Sequence, residues 1–391
     1  MPCYSAGMNI ITTTDSLQKF CDAAKSKNFL CVDTEFMRES TFYSELCLIQ
    51  VATDTDEAII DPLADGIDLA PFNALLMLSS LTKVMHAARQ DMEIFYSLCK
   101  AVPTPIFDTQ IGAMALGFGD SVGYMALVKG RLGLQLDKGA RFTDWSRRPL
   151  SEKQLSYALA DVTHLRDLYP DMIKELTERG RLGWIEEETQ PQLEEKLYTF
   201  NPDHAWERLK VRNPRKENMA VLKAVAAWRE SQAIRRNIPR RRVLKDDALY
   251  DIAQNKPRDV KALSRLRGVP NGFANSRSVT DLIKSINYAL DNADDYAPVL
   301  PKTKHMPPQL GPTIEMLKTL LKLCTEYEDL APRLVANASD IEKIAAFGTD
   351  ANVAALSGWR KEVFGDQALD LLAGKIALRL EGRKVVTQKL D

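Results

Sequence analysis

The chain has 391 residues, too many for one average domain, and its 45% hydrophobic and 27% charged content is that of a globular protein rather than a disordered or fibrous one. No apolar run approaches the ~18 residues that a membrane-spanning helix needs. The net charge of -1 conceals an asymmetry, since residues 1–200 carry 19 Lys and Arg against 29 Asp and Glu, whereas residues 201–391 carry 33 against 24. This split indicates that one part performs chemistry and another meets a polyanion, although two ordinary solvated surfaces would also produce it.

The cysteines and the first residues bear on the cellular compartment. The six cysteines are widely spaced and include no C-x-x-C pair, which argues against a zinc site or a disulfide framework. The first residues lack a basic segment followed by an apolar core, so we expect no secretion signal. We therefore expect a protein of the reducing cytoplasm that starts at Met1 or Met8.

The first 180 residues predict a mixed sheet covered by helices. The first three strand candidates are joined by short polar connections, which indicates an antiparallel meander. In chain order, the patterns predict a helix at 15–25, strands at 29–35, 46–52 and 57–61, a helix at 71–80, a strand at 83–87, and helices at 91–99, 109–116, 121–132 and 152–179.

The second half of the chain predicts two helical units. Residues 186–202 form a connector with an acidic run and Pro191, and from there we expect helices to the end of the chain. A proline-rich, stiff linker at 294–310 separates the two units. The segments 238–253 and 330–345 are similar, because in both a Pro-Arg turn precedes an apolar run, a polar cap and a helix. The two units therefore look like diverged copies.

Two carboxylates end the first strand candidate. In an extended chain alternate side chains share a face, so Asp33 and Glu35 point the same way and Thr34 points the other way. At the end of a buried strand, desolvation and mutual repulsion would disfavour both charges, and a divalent cation between them would remove that cost. The alternative is that the strand ends at Val32 and both carboxylates face water.

Two later carboxylates could join this pair. Asp91 falls in the first turn of a predicted helix, where the helix dipole favours a negative charge, although helix capping alone would explain it. Asp161 shares a helix face with Tyr157, four residues earlier, and a surface hydrogen bond is the alternative there. Together the four acids are what an all-oxygen site for two divalent cations requires. The chain contains no G-x-x-x-x-G-K-[ST] loop, which argues against nucleoside triphosphate hydrolysis.

Four blocks of sequence resemble the motifs of the ribonuclease D family of DEDDy 3'-to-5' exonucleases. They are Asp-Thr-Glu-Phe at 33–36, HAARQDMEIF at 86–95, FDTQIGAMALGFG at 107–119 and YALADV at 157–162. The stretch 136–150 is similar to that family's approach to its third motif. The two C-terminal units resemble the helicase-and-RNase-D C-terminal (HRDC) domains.

The resemblance implies a fold and its limits. The fold is an α/β ribonuclease H-like DEDD exonuclease domain, a mixed sheet flanked by helices, followed by two all-α HRDC helical bundles. The implied limits are 1–195 for the exonuclease domain, 203–293 for the first HRDC domain, 294–310 for the linker and 311–391 for the second HRDC domain.

The resemblance also implies a 3'-to-5' exoribonuclease that trims structured RNA, in particular precursor tRNA, and releases 5'-mononucleotides by two-metal-ion hydrolysis. Tyr157 would orient the attacking water, and the position of His164 after the last acid favours the tyrosine subclass, with His164 structural. Two Mg²⁺ or Mn²⁺ ions, bridged by Asp33, would be held by Asp33, Glu35, Asp91 and Asp161.

Basic residues in two places are candidates for RNA contact. Residues 201–300 carry 20 Lys and Arg against 12 Asp and Glu, so we expect salt-sensitive, sequence-independent binding by the first HRDC unit. The nearly neutral second unit either contacts RNA or packs against the nuclease domain and closes a ring. The candidates are Lys138, Arg141, Arg147 and Arg148 beside the third motif, and Arg235, Arg236, Arg240, Arg241 and Arg242 in the first unit.

Other functions remain to be weighed against this one. A DNA exonuclease or proofreading-like domain could use the same scaffold. A non-catalytic RNA-binding protein could keep an exonuclease-like shell, but the complete carboxylate set and Tyr157 argue against it. A helicase, the other setting of HRDC domains, is disfavoured by the missing phosphate loop. We expect a monomer that binds neither a membrane nor a nucleotide cofactor.

Overall fold

The structure is a computed structural model that describes residues 8–137, 139, 143–270, 272–273, 278–300 and 306–390. By its internal contacts the chain forms two compact units. Among the described residues, no helix has the length and apolar character needed to cross a membrane. As far as they are described, unit 1 comprises Met1–Glu35, Leu48–Glu195 and Lys304–Asp391, and unit 2 comprises Phe36–Cys47 and Lys196–Thr303.

A mixed sheet forms the centre of the α/β fold, as the sequence predicts. Its order in the described residues is β1-β4-β3-β2-β5-β6, with β3 and β4 antiparallel and the pairs β1/β4, β2/β5 and β5/β6 parallel. The apolar run at the start of β2 is fully buried, which suits a strand flanked by a parallel neighbour and covered on both faces. The strands are β1 (Ile10–Ile11), β2 (Phe29–Met37), β3 (Glu45–Ala52), β4 (Glu57–Ile60), β5 (Thr82–Met85) and β6 (Ile106–Asp108).

Six of the helices around the sheet lie within a few residues of their predicted limits, whereas α7 was not predicted and extends into the segment 186–202 that was expected to be a connector. The longest, α6, begins with a capping box between Ser151 and Gln154 and buries apolar residues three or four positions apart, so that one stripe faces the core. The helices are α1 (Thr14–Ala24), α2 (Ala70–Leu76), α3 (Arg89–Cys99), α4 (Thr109–Ala115), α5 (Tyr124–Leu132), α6 (Glu152–Glu178) and α7 (Leu182–Thr189).

Unit 2 is a helical bundle around α8, which packs against α10 and α12. The segment Phe36–Cys47 belongs to this bundle: Phe42 is buried in its core, and the backbone amides of Phe42 and Tyr43 donate to Asn237 Oδ1 at 3.1 and 3.2 Å. The helices are α8 (Lys216–Arg236), α9 (Arg240–Val243), α10 (Asp246–Asn255), α11 (Val260–Leu263), α12 (Val279–Asp291) and α13 (Ala293–Tyr296).

The C-terminal segment of unit 1 shares one apolar core with the helices of the α/β fold. It therefore packs against the nuclease-like part, as one of the two alternatives that the sequence leaves open predicts, while the closure of a ring stays a prediction. The expectation of helices to the chain end is wrong, because a β-hairpin follows the last helix. The elements are α14 (Gly311–Glu328), α15 (Pro332–Val335), α16 (Ala338–Phe347), α17 (Gly358–Arg360), α18 (Asp366–Leu372), β7 (Ile376–Glu381) and β8 (Lys384–Lys389).

Two buried arginines fasten this segment. The Arg181 guanidinium donates to the carbonyl oxygens of Ala115 at 2.9 Å and Glu328 at 2.6 Å. The second bond supplies a donor to a carbonyl oxygen at the C-terminal end of α14 that has no partner within the helix. Arg360 donates to Glu187 Oε1 at 2.6 Å and to the carbonyl oxygen of Leu334 at 3.1 Å. Removal of either arginine would leave buried acceptors without a donor.

The two predicted copies share local backbone geometry. The C-cap residue of α8 is Asn237 with φ 47°, and that of α14 is Asp329 with φ 53°. The short helices that follow, α9 and α15, have the C-cap residues Leu244 and Ala336, each with φ -152° and ψ 140°. The similar sequences at 238–253 and 330–345 thus adopt similar turns.

Candidate active site

Strand β2 presents its two carboxylates on one face. The side chains of Asp33 and Glu35 are partly accessible, whereas Thr34 between them is buried, as the alternation of an extended chain requires. Consecutive side chains on the same face lie about 6.6 Å apart along a strand. The Thr34 hydroxyl donates to Asp91 Oδ1 at 2.5 Å and thereby ties the first turn of α3 to β2.

The start of α3 is organised by another acid, Asp108. Its carboxylate accepts hydrogen bonds from the backbone amides of Ala87 at 2.9 Å, Ala88 at 3.0 Å and Gln110 at 2.9 Å. Asp108 therefore supplies acceptors at the beginnings of both α3 and α4. The capping role that the sequence allowed for Asp91 belongs to this neighbour, and Asp91 is left buried beside β2.

Helix α6 carries the remaining two candidates. Tyr157 and Asp161 lie one turn apart, next to the fully buried Ala158. The Tyr124 hydroxyl is hydrogen-bonded to the carbonyl oxygens of Ala160 at 3.0 Å and Asp161 at 2.7 Å, so α5 fixes the backbone of α6 at the acid.

The pKa values show which carboxylates the fold brings together. Burial, and then the negative charge of Asp161, raise the pKa of Asp33 from 3.8 to about 8. Burial, and then the charge of Asp33, raise the pKa of Asp91 from 3.8 to about 8. Asp33 therefore interacts electrostatically with the acids of both α3 and α6. Glu35 follows it on the same strand face.

This donor set suits a hard divalent cation, because carboxylate oxygens are the ligands that Mg²⁺ and Mn²⁺ prefer. Buried like charges are also what a bound cation would stabilise. No group of three or more His, Cys, Asp or Glu side chains in the described part of the chain is gathered closely enough to hold a metal ion.

The aromatic surroundings of the acids were not anticipated from the sequence. His86, inside a motif quoted above, is hydrogen-bonded through Nδ1 to Thr109 Oγ1 at 2.9 Å, and its ring lies 5.5 Å from that of Tyr124. Burial lowers the pKa of His86, which favours the neutral imidazole. The ring of the buried Trp145 lies 6.1 Å from that of Tyr157.

The basic residues beside the third motif have different surroundings. Lys138 and Arg141 lie outside the described residues. The Arg147 side chain is 84% exposed and pairs with Asp144 at 3.0 Å. Arg148 is bound in a bidentate ion pair, with Nε and Nη2 each 2.7 Å from an oxygen of the buried Asp61. Its Nη1 also donates to the carbonyl oxygen of Trp145, so Arg148 fixes the loop that packs on Tyr157.

The arginine cluster of unit 2, residues 235, 236 and 240–242, likewise contains both a paired arginine and exposed ones. Arg240 forms a bidentate pair with the buried Glu230, at 2.5 and 2.6 Å, and its guanidinium stacks 4.5 Å from the Phe42 ring. This pairing gives Arg240 a structural partner that its sequence position did not reveal. The other members of the cluster, which are exposed, are Arg235, Arg236, Arg241 and Arg242.

Comparisons with known proteins identify the family of this chain. A family model described as a 3'-5' exonuclease matches residues 8–177, and a model of the HRDC domain matches residues 218–286. Ribonuclease D of Nitrobacter hamburgensis is 45% identical to this chain over 97% of its length and 99% of the relative's length. The chain belongs to the ribonuclease D family. Ribonuclease D of Bartonella henselae is 42% identical over 99% of this chain and 95% of its own.

A solved ribonuclease D has the same architecture. The crystal structure of Escherichia coli RNase D, described as an exoribonuclease involved in structured RNA processing, matches with a TM-score of 0.81 and 28% identity. The match covers 94% of this chain and 99% of that one. This ribonuclease D family member is therefore a 3'-to-5' exoribonuclease with an HRDC domain, as the sequence motifs indicate. Its exonuclease class generally uses divalent metal ions. The alternatives of a DNA exonuclease and of a non-catalytic shell are not supported.

Proposed function

We propose that the protein trims the 3' ends of structured RNA, with precursor tRNA as the main substrate class, and releases 5'-mononucleotides by two-metal-ion hydrolysis. The observation that carries the mechanism is the mutual effect of the acids: the charge of Asp161 raises the pKa of Asp33, and the charge of Asp33 raises that of Asp91. Three elements that are distant in sequence thus supply carboxylates to one buried region.

The carboxylate chemistry of these residues suits Mg²⁺ or Mn²⁺, and in this proposal two such ions would be held by Asp33, Glu35, Asp91 and Asp161. When bound, the ions supply a reactive water and stabilise the leaving oxygen of the scissile phosphate. The electrostatic interaction of Asp33 with both Asp91 and Asp161 supports its place in this donor set.

The remaining residues orient these groups. The Thr34 hydroxyl holds Asp91, and the Tyr124 hydroxyl holds the backbone at Asp161. Tyr157 precedes Asp161 by one helical turn, so both side chains lie on the same helix face, and in this proposal the phenol hydrogen-bonds to the attacking water. Trp145, packed on the Tyr157 ring, restricts the rotation of that ring.

The helical domains bind RNA in this proposal. We propose the limits 1–195, 203–293 and 311–391 for the domains and 294–310 for the linker, and the repeated turn geometry at Asn237 and Asp329 supports the interpretation of the two helical segments as copies. Arg147 and the exposed arginines of the unit 2 cluster would contact phosphates, and Lys138 and Arg141 are proposed on sequence grounds. Arg148 and Arg240 would act by holding the loops beside them. We propose a cytoplasmic monomer.

Labelled RNA tests the reaction. With Mg²⁺, 3'-labelled RNA should lose its label first, 5'-labelled RNA should shorten progressively, and a chelator should stop both. Asp161→Asn should abolish hydrolysis, whereas Asp167→Asn, on the same helix with a half-exposed side chain, should not. Retention of wild-type hydrolysis by Asp161→Asn would show that the metal site is assigned wrongly.

The tyrosine has its own test. Tyr157→Phe should lower kcat about 100-fold, as expected for loss of a group that positions the reacting water. Tyr169→Phe is the matched control, because Tyr169 lies on the same helix but packs against Phe29 and Phe107. Precursor tRNA with a 3' extension, compared with a DNA strand of equal sequence, tests the substrate class, and equal turnover of both would contradict it.

A further inference from the structure

The described chain ends in a β-hairpin that the exonuclease chemistry does not use. Strands β7 and β8 pair along six residues each, from Ile376 opposite Lys389 to Glu381 opposite Lys384. The two-residue turn begins at Gly382 with φ 62°, a conformation that hairpin turns of this length require and glycine readily adopts.

The hairpin is anchored at one end only. Ile376, at its base, is 8% exposed, and Leu378 packs against the apolar core of unit 1. Toward the turn, Leu380 is 68% exposed and both turn residues lie at the surface. A two-stranded ribbon has little stability of its own, so the buried base holds an otherwise solvent-exposed tip.

The charge of this ribbon is of one sign. Residues 375–389 contain five Lys and Arg and a single acid, Glu381. Lys375 pairs with Asp370 at 3.2 Å, and Arg379 lies 3.5 Å from Glu381. Within the part of the chain that the structure describes, the three other cations make no ion pair: Arg383, Lys384 and Lys389.

We propose that this hairpin is an RNA-backbone contact site, separate from the arginine cluster of unit 2. The enzyme's substrate is a polyanion, and residues 1–200, which include the exonuclease fold, carry 19 Lys and Arg against 29 Asp and Glu. A cationic ribbon in the same compact unit offsets the repulsion that this acidic part exerts on an incoming strand.

Protection of strand edges is the competing explanation for exposed cations on a ribbon. Edge protection needs a charge of either sign on the strands themselves. Here the cations without a partner include Arg383 in the turn, where there is no strand edge to protect. The position of Arg383 and Lys384 at the tip, beside the exposed Leu380, favours contact with a phosphate chain and its sugars.

Charge reversal at the tip tests the site. Arg383→Glu combined with Lys384→Glu should weaken binding of a 20-nucleotide single-stranded RNA about 10-fold or more in low salt with a chelator present. The slope of log Kd against log salt should decrease by about 1.4, since each phosphate contact to a single strand contributes about 0.7. The uncharged pair Arg383→Gln with Lys384→Gln should give about half of the effect.

A matched control makes the same change of charge at two lysines outside the hairpin. Lys322→Glu combined with Lys343→Glu alters two exposed lysines on α14 and α16 of the same unit and should change Kd less than about twofold. With Mg²⁺ present, all variants should cleave a dinucleotide at the wild-type rate, because the proposal gives the ribbon no part in the cleavage step itself. Failure of the hairpin idea is therefore distinguishable from failure of the proposed metal chemistry.

Two results would overturn the proposal. One is an unchanged Kd and salt slope in the Arg383→Glu, Lys384→Glu variant (the tip variant), or an equal loss of RNA affinity in the control pair. The tip variant must in either case have the far-ultraviolet circular dichroism spectrum of the wild type. The other is a concentration-dependent dimer in sedimentation that the tip variant abolishes while its RNA affinity stays the same, because the ribbon would then be an edge for a second copy.

Discussion

Replacing Asp33 by asparagine should stabilise the metal-free protein while abolishing its hydrolytic activity. Burial and the nearby charge of Asp161 raise the pKa of Asp33 from 3.8 to about 8. Between these two values the folded state binds a proton that the unfolded chain has released. The free energy of unfolding of the metal-free protein should therefore fall as the pH rises from about 4 to 8, and then level off.

The size of the effect follows from the same pKa. Each pH unit above 3.8 removes about 1.4 kcal/mol until the folded pKa is reached, so Asp33 costs the metal-free fold about 4 kcal/mol at pH 7. Asparagine keeps the shape of the side chain and never has to bind that proton. Asp33→Asn should thus gain up to about 4 kcal/mol over the wild type at pH 7 and nothing at pH 4.

Equilibrium urea unfolding from pH 4 to 8, with chelator, measures this difference. Asp65→Asn, at an exposed carboxylate after β4, is the control and should follow the wild type at every pH. Mg²⁺ should stabilise the wild type more than Asp33→Asn. A difference between Asp33→Asn and wild type that stays constant across this pH range would refute the reasoning, because it would not come from proton binding.

Three other substitutions test separate contacts. Arg148→Lys should lower kcat about 10-fold at little change in KM, because one ammonium cannot make both bonds to Asp61 and the loop on the tyrosine loosens. Lys83→Met should lower the free energy of unfolding by about 2–4 kcal/mol in urea titrations, because it leaves three buried carbonyl oxygens without their donor. Gly117→Ala should lower Tm, since a Cβ would lie 2.2 Å from an oxygen of Asp329 and φ is 79°.

Each of these has a control in the chain. Arg147→Lys, at an 84% exposed side chain, should leave kcat unchanged. Lys129→Met, on the exposed face of α5, should leave the free energy of unfolding within about 0.5 kcal/mol of the wild type. Gly119→Ala shares the positive φ, 92°, but meets no atom within 4 Å, so a larger loss at Gly117 reports the steric contact alone. Equal losses within any pair would contradict the contact that the pair tests.

The long periodic elements of the fold could be predicted, and the short ones could not. Helix α6 has seven buried positions in one stripe, so its pattern was sufficient to place it within one residue. Strands β1 and β6 have two and three residues, too few for an alternation to be visible. In the terminal hairpin, β7 has apolar residues at alternate positions before a glycine turn, but β8 has none of this alternation, so the hairpin pattern is weak in the sequence.

The acids of the candidate site were accessible from sequence, and their supports were not. Asp33 and Glu35 can be recognised because two acidic residues follow an apolar run. Asp91 and Asp161 are indicated by the order of the motifs. The pairing of Asp61 with Arg148 spans 87 positions, and no local pattern encodes it. The pairing of Arg240 with the buried Glu230, ten positions earlier, is not encoded by a local pattern either. Counting basic residues therefore overestimates how many arginines are available to RNA.

The attachment of the C-terminal segment includes two indole rings in parallel. Trp184 and Trp359 stack with their centroids 4.2 Å apart and their planes 8° apart. Such a pair couples its electronic transitions and should give a split band in circular dichroism, which vanishes when the rings separate. The protein thus contains its own optical reporter of whether the end of the chain is seated, readable without any added dye.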